Sequence, residues 1–258
     1  MRTFSICCVG LAWGLCVHAA TLAIQAGRPV VDSVYVNGHG PFRFLLDTGS
    51  NVNLIETGLA HDIGMRAAYE VDLESVSRRT ATRGSDDNEV TLDAIRADRQ
   101  RFLFSKLEAV RMRSPDIQGV LGQWFLAQFD YVLDLHAKRI EFGKQERRGR
   151  RIQLQMINAR PIVSTSLGNL ALDSGVVRVI LFGVGKENDS AGELRTLAGS
   201  ERVGTISNVS LSIAGRRIWS GEAVAIPHGH EQGVDGLMPL NLFKTVYVCN
   251  SEGYAVLE

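Results

Sequence analysis

The chain carries one sequence pattern twice. Each copy is an extended apolar segment, a turn and a second apolar run, which ends in an acid, a hydroxyl residue and a glycine. The first copy spans residues 28–50 and ends in Asp47-Thr48-Gly49-Ser50. The second spans residues 160–175 and ends in Asp173-Ser174-Gly175. Since each acid follows a run of strand character, we expect two duplicated lobes that bring two carboxyl groups together.

A second pair of matching segments follows the acids. Gly119-Val120-Leu121-Gly122 follows Asp47, and Gly236-Leu237-Met238-Pro239 follows Asp173 at a similar spacing. Each segment is followed by another apolar run of strand length, at positions 130–133 and 247–250. The order of segments is therefore the same in both halves. A repeat this long indicates duplicated lobes rather than a solenoid.

The chain from position 21 onward is predicted to be all-β. Short apolar runs separated by polar turns are typical of strands, and residues 129–135 and 139–142 flank a polar turn as a hairpin would. Helical segments are few and short, at residues 56–63 and 123–128. A polar, arginine-rich stretch at residues 147–151 lies between the copies. We therefore place the first lobe at 21–146, a linker at 147–151 and the second lobe at 152–258.

The N-terminal segment, positions 1–20, differs from the rest. A positive start at Met1-Arg2 precedes an apolar run over residues 4–17, and small residues follow. This pattern predicts a cleaved signal peptide over residues 1–20, which is too short to be a membrane span. A buried N-terminal helix is the alternative, but no amphipathic pattern is present. The predicted location is secreted or periplasmic, with no stable membrane span after cleavage.

The charge balance excludes some partner classes. The chain has 28 basic and 28 acidic residues, so nothing in its charge indicates a nucleic-acid partner. The predicted signal segment contains three of the four cysteines, which leaves only Cys249 in the mature chain. No intramolecular disulfide is then possible, and the lobes must be held together by their core.

The repeated segments resemble the aspartic proteases, in particular the retropepsin-like group. The resemblance is carried by residues 44–50, 119–122, 172–175 and 236–238, and it covers essentially the whole chain from position 21 onward. Retroviral members supply one acid per subunit and dimerise, whereas pepsin-like members carry both acids in one chain. With both acids present, this chain is similar to the single-chain kind. The resemblance implies a bilobal acid-protease fold, with two β-barrel-like lobes related by a pseudo-twofold axis.

The resemblance also implies the site. Asp47 and Asp173 are the expected catalytic acids, and the expected supporting residues are Thr48, Gly49, Ser50, Ser174 and Gly175. Two carboxyls about 3 Å apart cannot both ionise, so they share a proton, as in pepsin. One acid then activates a water as general base while the other polarises the peptide carbonyl. The mechanism implies no metal and no cofactor, a peptide or protein substrate, and a monomer. Which acid is the base remains open.

The second copy departs from the pattern in two places. Val176 follows the second glycine where Ser50 follows the first, so Asp173 lacks a nearby hydroxyl donor. Hydrogen bonds favour an ionised carboxylate, so we predict that Asp173 holds its proton more readily than Asp47. Under this hypothesis, Val176→Ser changes the pH–rate profile. Pro239 replaces the glycine at position 122 of the first copy and lacks an N–H, so we expect a looser or differently threaded second lobe.

A flap over the cleft is expected within residues 76–90. Gly84-Ser85 is the candidate hairpin tip, and there is no clear flap tyrosine, because Tyr69 lies early in the chain.

Two functions remain open. Either acid taken singly would suit an N-cap or a turn, but a matched pair suits catalysis better. The first hypothesis is an exported aspartic endopeptidase that hydrolyses peptide bonds with a water activated between Asp47 and Asp173. The alternative is a catalytically inert binding or scaffold protein that uses the interlobe cleft. Intact acids favour the enzyme, whereas Val176, Pro239 and the missing flap aromatic favour the alternative.

Overall fold

Each half of the chain forms its own sheet, and the two sheets have the same strand order. The computed structural model describes residues 18–74, 79–185, 190–196, 199–227 and 231–258. The first half contains β1 (His18–Thr21), β2 (Ala23–Gln25), β3 (Arg28–Val36), β4 (His39–Leu46), β5 (Leu54–Glu56), α1 (Thr57–Asp62), β6 (Tyr69–Glu74), β7 (Arg79–Leu92), β8 (Ile95–Ser105), α2 (Glu108–Arg111), β9 (Gly119–Leu121), α3 (Gln123–Leu126), β10 (Tyr131–Asp134) and β11 (Arg139–Phe142).

Across the described residues, the second half repeats this order without the α-helices between strands. It contains β12 (Ile152–Gln153), β13 (Gln155–Ile157), β14 (Arg160–Thr165), β15 (Gly168–Asp173), β16 (Ile180–Phe182), β17 (Ser190–Thr196), β18 (Gly199–Ile213), β19 (Arg216–Ile226), β20 (Gly236–Pro239), a 3-10 turn (Leu240–Leu242), β21 (Thr245–Cys249) and β22 (Tyr254–Leu257). The predicted all-β class is confirmed.

The strand order within each lobe is identical. Over the part of the chain that the structure describes, it runs β2-β3-β4-β9-β5-β8-β7-β6 in the first lobe and β13-β14-β15-β20-β16-β19-β18-β17 in the second. In both lobes the strand that leads to the acid pairs in parallel with the glycine-containing strand, β4 with β9 and β15 with β20. The acids therefore lie at equivalent ends of equivalent strands.

A third sheet joins the lobes. Its order is β1-β11-β10-β21-β22-β12, so each lobe contributes three strands. The lobes meet where β10 pairs antiparallel with β21, with Leu133 opposite Val246. The pseudo-twofold axis thus passes between these two strands. The largest buried apolar cluster contains residues of both lobes, including Leu46, Leu133, Leu172 and Val246, and it runs without a break from one to the other.

Local patterns explain most elements. The predicted hairpin forms between β10 and β11, with Leu133 opposite Ile140. Helix α1 begins after Glu56, whose carboxylate accepts a hydrogen bond from the Leu59 N–H as an N-cap. The polar stretch predicted as a linker, residues 147–151, lies between β11 and β12.

Two predictions fit the structure less well. Gly84 and Ser85 lie within β7, where Gly84 pairs with Tyr69, so the predicted flap tip is wrong. That pairing continues to Glu74 opposite Arg79, and residues 75–78 between them lie outside the described residues. The predicted signal segment overlaps β1, since His18 to Ala20 pair with β11. Residues 1–17 lie outside the described residues. Within the described chain, no helix has the length and apolarity needed to cross a membrane.

Candidate active site

The two predicted acid loops meet and are tied together by four hydrogen bonds. The Thr48 N–H donates to Ser174 Oγ at 3.0 Å, and the Ser174 N–H donates to Thr48 Oγ1 at 3.0 Å. Each hydroxyl donates in turn to a strand of the opposite lobe, Thr48 Oγ1 to Leu172 O at 2.8 Å and Ser174 Oγ to Leu46 O at 2.7 Å. Both side chains are buried. The reciprocal pattern fixes one loop against the other across the lobe interface.

Gly49 and Gly175 allow each loop to approach the opposite acid. A Cβ on Gly49 would overlap the carboxyl carbon of Asp173. A Cβ on Gly175 would lie 2.5 Å from Asp47 Oδ2, closer than real Cβ contacts come. Any side chain at either position would therefore displace the acid of the other lobe. Each motif therefore needs a glycine at this position, because only a residue without a Cβ leaves room for the carboxyl of the opposite lobe.

Asp47 and Asp173 lie beside each other between the lobes, close enough for each carboxyl to act on the other. Burial raises the pKa of Asp47, opposed by hydrogen bonds from Gly49 and Ser50. The pKa of Asp173 is raised well above its usual range, first by burial and then by the negative charge of Asp47. Two buried carboxyls that act on each other do not both ionise readily, so the pair favours a state in which they share one proton.

The two acids differ in the backbone N–H groups from which they accept hydrogen bonds, and the Ser50 hydroxyl does not contribute to this difference. Asp47 Oδ1 accepts from the N–H groups of Gly49 (3.0 Å) and Ser50 (3.1 Å). Among the residues that the structure describes, Asp173 Oδ1 accepts from the Gly175 N–H alone, at 2.7 Å. The Ser50 hydroxyl donates elsewhere, to Val52 O at 2.9 Å. The prediction that Asp173 holds its proton more readily than Asp47 therefore keeps its direction, but the cause given for it, a hydroxyl donor at position 50, is wrong. Because the Ser50 hydroxyl does not bond Asp47, we do not expect a serine in place of Val176 to bond Asp173.

The replacement of glycine by Pro239 in the second lobe is accompanied by a replacement of its hydrogen-bond partner. In the first lobe the Gly122 N–H donates to Asn53 Oδ1 at 3.0 Å. By the equivalence of β5 with β16 and of β9 with β20, the corresponding residues of the second lobe are Val179 and Pro239. Pro239 has no N–H and Val179 has no acceptor, so both members of the pair are replaced together. The expectation of a loosened second lobe is not supported at this position, where Val179 is fully buried.

Four residues that lie around the acids were not identified from the sequence. Asn53 and Gln123 brace the first loop: Asn53 also donates to Arg101 O at 3.1 Å, and Gln123 Nε2 donates to Thr48 O at 2.7 Å. Arg28 and Arg160 begin β3 and β14 and are close enough to act electrostatically on the pair. The repeated Arg-Pro pair was visible in the sequence and could have identified these two arginines. Nothing local could have identified Asn53 or Gln123.

The described residues offer no group of three or more His, Cys, Asp or Glu side chains that could hold a metal ion. The chemistry available from these residues is proton transfer by two coupled carboxyls held rigidly at a lobe interface. Such a pair can take a proton from one bound group while it donates a hydrogen bond to another.

Comparisons with known proteins agree with this geometry. The family model described as Aspartyl protease matches residues 32–125, which include the Asp47 loop. The aspartic proteinase from Irpex lacteus superposes with a TM-score of 0.55 at 13% identity, over 94% of this chain and 97% of that one. A retropepsin-like aspartic protease from Rickettsia conorii gives a TM-score of 0.38 at 14% identity, over 50% of this chain and 94% of that one.

No curated protein matches the chain in sequence. At 13% identity the fungal enzyme shows the fold alone, and it does so over both lobes. The family match supplies the first-lobe motif, and the fold places the second motif opposite it. Residues 32–125 are therefore similar to the aspartyl protease family, and the whole chain has the two-lobed fold of an aspartic proteinase in one polypeptide.

Proposed function

We propose that this protein is an endopeptidase that hydrolyses peptide bonds with a water activated between Asp47 and Asp173. The observation that carries the proposal is the pair of buried carboxyls at the lobe interface, with one acid from each lobe. The loops that hold it are cross-linked by the Thr48 and Ser174 hydrogen bonds, so little reorganisation is needed during the reaction. The match of residues 32–125 to the aspartyl protease family model and the two-lobed fold support the same reaction class.

The environment of each acid assigns its role. Asp47 accepts two backbone N–H groups, which favour its ionised form, so it is the general base that takes a proton from water. Asp173 accepts one described backbone N–H, and burial and the charge of Asp47 raise its pKa, so it holds the shared proton and donates a hydrogen bond to the peptide carbonyl. Attack of the water oxygen on the carbonyl carbon gives a tetrahedral intermediate. The proton on Asp47 then passes to the leaving nitrogen as the C–N bond breaks.

Asparagine variants test the proposal. We expect Asp47→Asn and Asp173→Asn each to reduce cleavage of casein by a hundredfold or more, roughly the contribution of a general acid or base. Asp62→Asn, which changes an exposed acid on α1, is the matched control and should cleave like the wild type. Far-UV circular dichroism checks that each variant is folded. Full activity in either dyad variant would remove the proposal.

A binding measurement distinguishes an enzyme from an inert relative. A statine-centred peptide mimics the tetrahedral intermediate and should bind the wild type more tightly than either asparagine variant. Tight binding by a wild-type protein that cleaves no peptide would instead support the binding or scaffold function.

We also propose that the protein is exported, on the basis of the apolar segment at residues 4–17 and its positive start. Fractionation followed by mass spectrometry of the mature N-terminus tests this. A chain that begins at or before His18 would retain all of β1, whereas cleavage after Ala20 would remove most of it. An unprocessed chain in the cytosol would contradict export.

A further inference from the structure

Two arginines occupy equivalent positions beside the dyad. Arg28 opens β3 and Arg160 opens β14, and each is followed by a proline. The charge of Asp47 acts on Arg28, and the charges of Asp173 and Asp47 act on Arg160. The duplication has therefore placed one guanidinium from each lobe near the reacting carboxyls.

The two arginines differ in their partners. Arg160 is buried, at 8% exposed, and its Nη2 donates to Glu231 Oε1 in an ion pair, although its Nε has no acceptor among the described residues. Arg28 makes no ion pair or side-chain hydrogen bond with any described residue. Its Nη2 is buried and has no acceptor there. A buried charged donor without an acceptor is unfavourable, and in the free protein Arg28 Nη2 is such an unsatisfied hydrogen-bond donor.

Arg28 lies at the lobe interface, where the charges of Asp47 and of a second arginine act on it. A Cβ on the preceding residue, Gly27, would lie 2.9 Å from Val177 Cγ1, so this segment abuts the loop that carries Asp173. A second arginine, Arg113, is exposed and close enough to act electrostatically on Arg28. Arg113 also lacks a side-chain partner among the described residues. Two neighbouring cations whose side chains form no ion pair with a described residue favour a further anion between them.

Asp47 cannot supply that anion. Its carboxylate already accepts from Gly49, Ser50 and Asp173, and the catalytic role requires these bonds. A molecule bound at the lobe interface can supply the missing acceptor. A carboxylate matches the planar guanidinium fork and can accept two parallel N–H bonds from it.

We propose that Arg28, with Arg113, forms a subsite that binds an acidic side chain of the peptide substrate close to the scissile bond. The inference rests on the proposed endopeptidase function and adds a substrate preference to it. The equivalent position of the second lobe does not make this selection, because Glu231 already neutralises Arg160. The enzyme is therefore expected to favour an acidic residue on one side of the cleaved bond only.

Cleavage of a peptide library tests the preference. A proteome-derived peptide mixture is digested, and the products are read by mass spectrometry to give residue frequencies around each cut. We expect Glu and Asp to be enriched at one position. A synthetic Glu peptide with that position should have a kcat/KM about tenfold or more above its Gln counterpart, at a pH above the ordinary Glu pKa of about 4.3.

Variants of Arg28 decide whether this arginine is responsible. Arg28→Gln should reduce the Glu-to-Gln ratio of kcat/KM to near one, and Arg28→Lys should restore part of it. Arg96→Gln removes the same charge from an exposed ion-paired site on β8 and should leave the ratio unchanged. If Arg28 only adjusted the ionisation of Asp47, its loss would shift the pH profiles of both peptides equally. A wild-type ratio in Arg28→Gln overturns the inference.

A binding series separates this inference from the proposed function. Statine-centred peptides that carry Glu or Gln at each flanking position are titrated into the wild type and Arg28→Gln by calorimetry. If no peptide is cleaved, the endopeptidase proposal fails, but a Glu preference that depends on Arg28 still supports the subsite. If cleavage proceeds and no position distinguishes Glu from Gln in either assay, the subsite is wrong and the peptidase stands.

Discussion

At the scale of single residues, the proton held by Asp173 affects stability as well as catalysis. In the unfolded chain this carboxyl has the ordinary Asp pKa of about 3.9. In the folded protein burial and the charge of Asp47 raise the pKa, so the folded state binds the proton more tightly. Its contribution to stability is therefore fully present below the ordinary pKa and is lost as the pH rises through the folded pKa.

Asp173→Asn removes this pH dependence. Asparagine cannot ionise, yet its Oδ1 can still accept the Gly175 N–H. We expect the urea midpoint of the variant to rise relative to that of the wild type as the pH increases from about 3 to about 8. Parallel midpoints for the two proteins across this range would contradict the raised pKa.

The acids and their glycines could be predicted from the sequence because each motif is contiguous and occurs twice. Asn53 could not, because its partner Gly122 lies 69 residues away and the second lobe has neither group. The role of Ser50 was misassigned for a related reason. A hydroxyl in a motif suggests a side-chain donor, whereas the structure uses the backbone N–H of that residue.

At the scale of elements, the contact of Asn53 with Gly122 joins the start of β5 to the end of β9. Asn53 is fully buried and bonds three partners, the Gly122 N–H, Gln100 Oε1 and Arg101 O. Asn53→Val is close to the state of the second lobe, but it leaves the Gly122 N–H without an acceptor. We expect the free energy of unfolding to fall by about 2–3 kcal/mol, the cost of buried unsatisfied polar groups.

A neighbouring asparagine provides the control. Asn51 is exposed and lies just before Asn53 in the chain, and Asn51→Val should change the free energy of unfolding by less than about 0.5 kcal/mol. Urea unfolding at constant pH measures both variants. Equal effects of the two substitutions would show that the Asn53 hydrogen bonds do not stabilise the first lobe.

The hairpin of β6 and β7 shows where element prediction failed. Gly84-Ser85 looks like a turn in the sequence, because glycine and serine are frequent in turns. In the structure Gly84 is a mid-strand residue, and a Cβ there would overlap the ring of Tyr69 on the paired strand. The glycine makes room for an aromatic side chain on a neighbouring strand, which a local pattern cannot reveal. The hairpin of β10 and β11 was predictable because its short polar turn is contiguous in the sequence and depends on no residue of another strand.

At the scale of the whole molecule, the lobes are joined by more than the acid loops. The six-stranded sheet takes three strands from each lobe, and β10 and β21 pair along its centre. The main apolar cluster crosses the same boundary. Separation of the lobes would break the central pairing and expose part of that cluster to water, which costs about 25 cal/mol for each Å² of apolar surface. We therefore expect the two lobes to unfold together.

The tryptophans allow this to be measured, because Trp124 lies in the first lobe and Trp219 in the second. In a Trp13→Phe background, Trp219→Phe leaves a reporter of the first lobe and Trp124→Phe a reporter of the second. In each protein, urea unfolding followed by fluorescence should coincide with unfolding followed by circular dichroism, as two-state behaviour requires. Circular dichroism of the parent protein controls for the effect of each substitution on stability. Fluorescence midpoints that differ between the lobes, with unchanged dichroism, would show that each lobe unfolds independently. The dyad would then depend on the Thr48 and Ser174 hydrogen bonds alone to hold its two acids together.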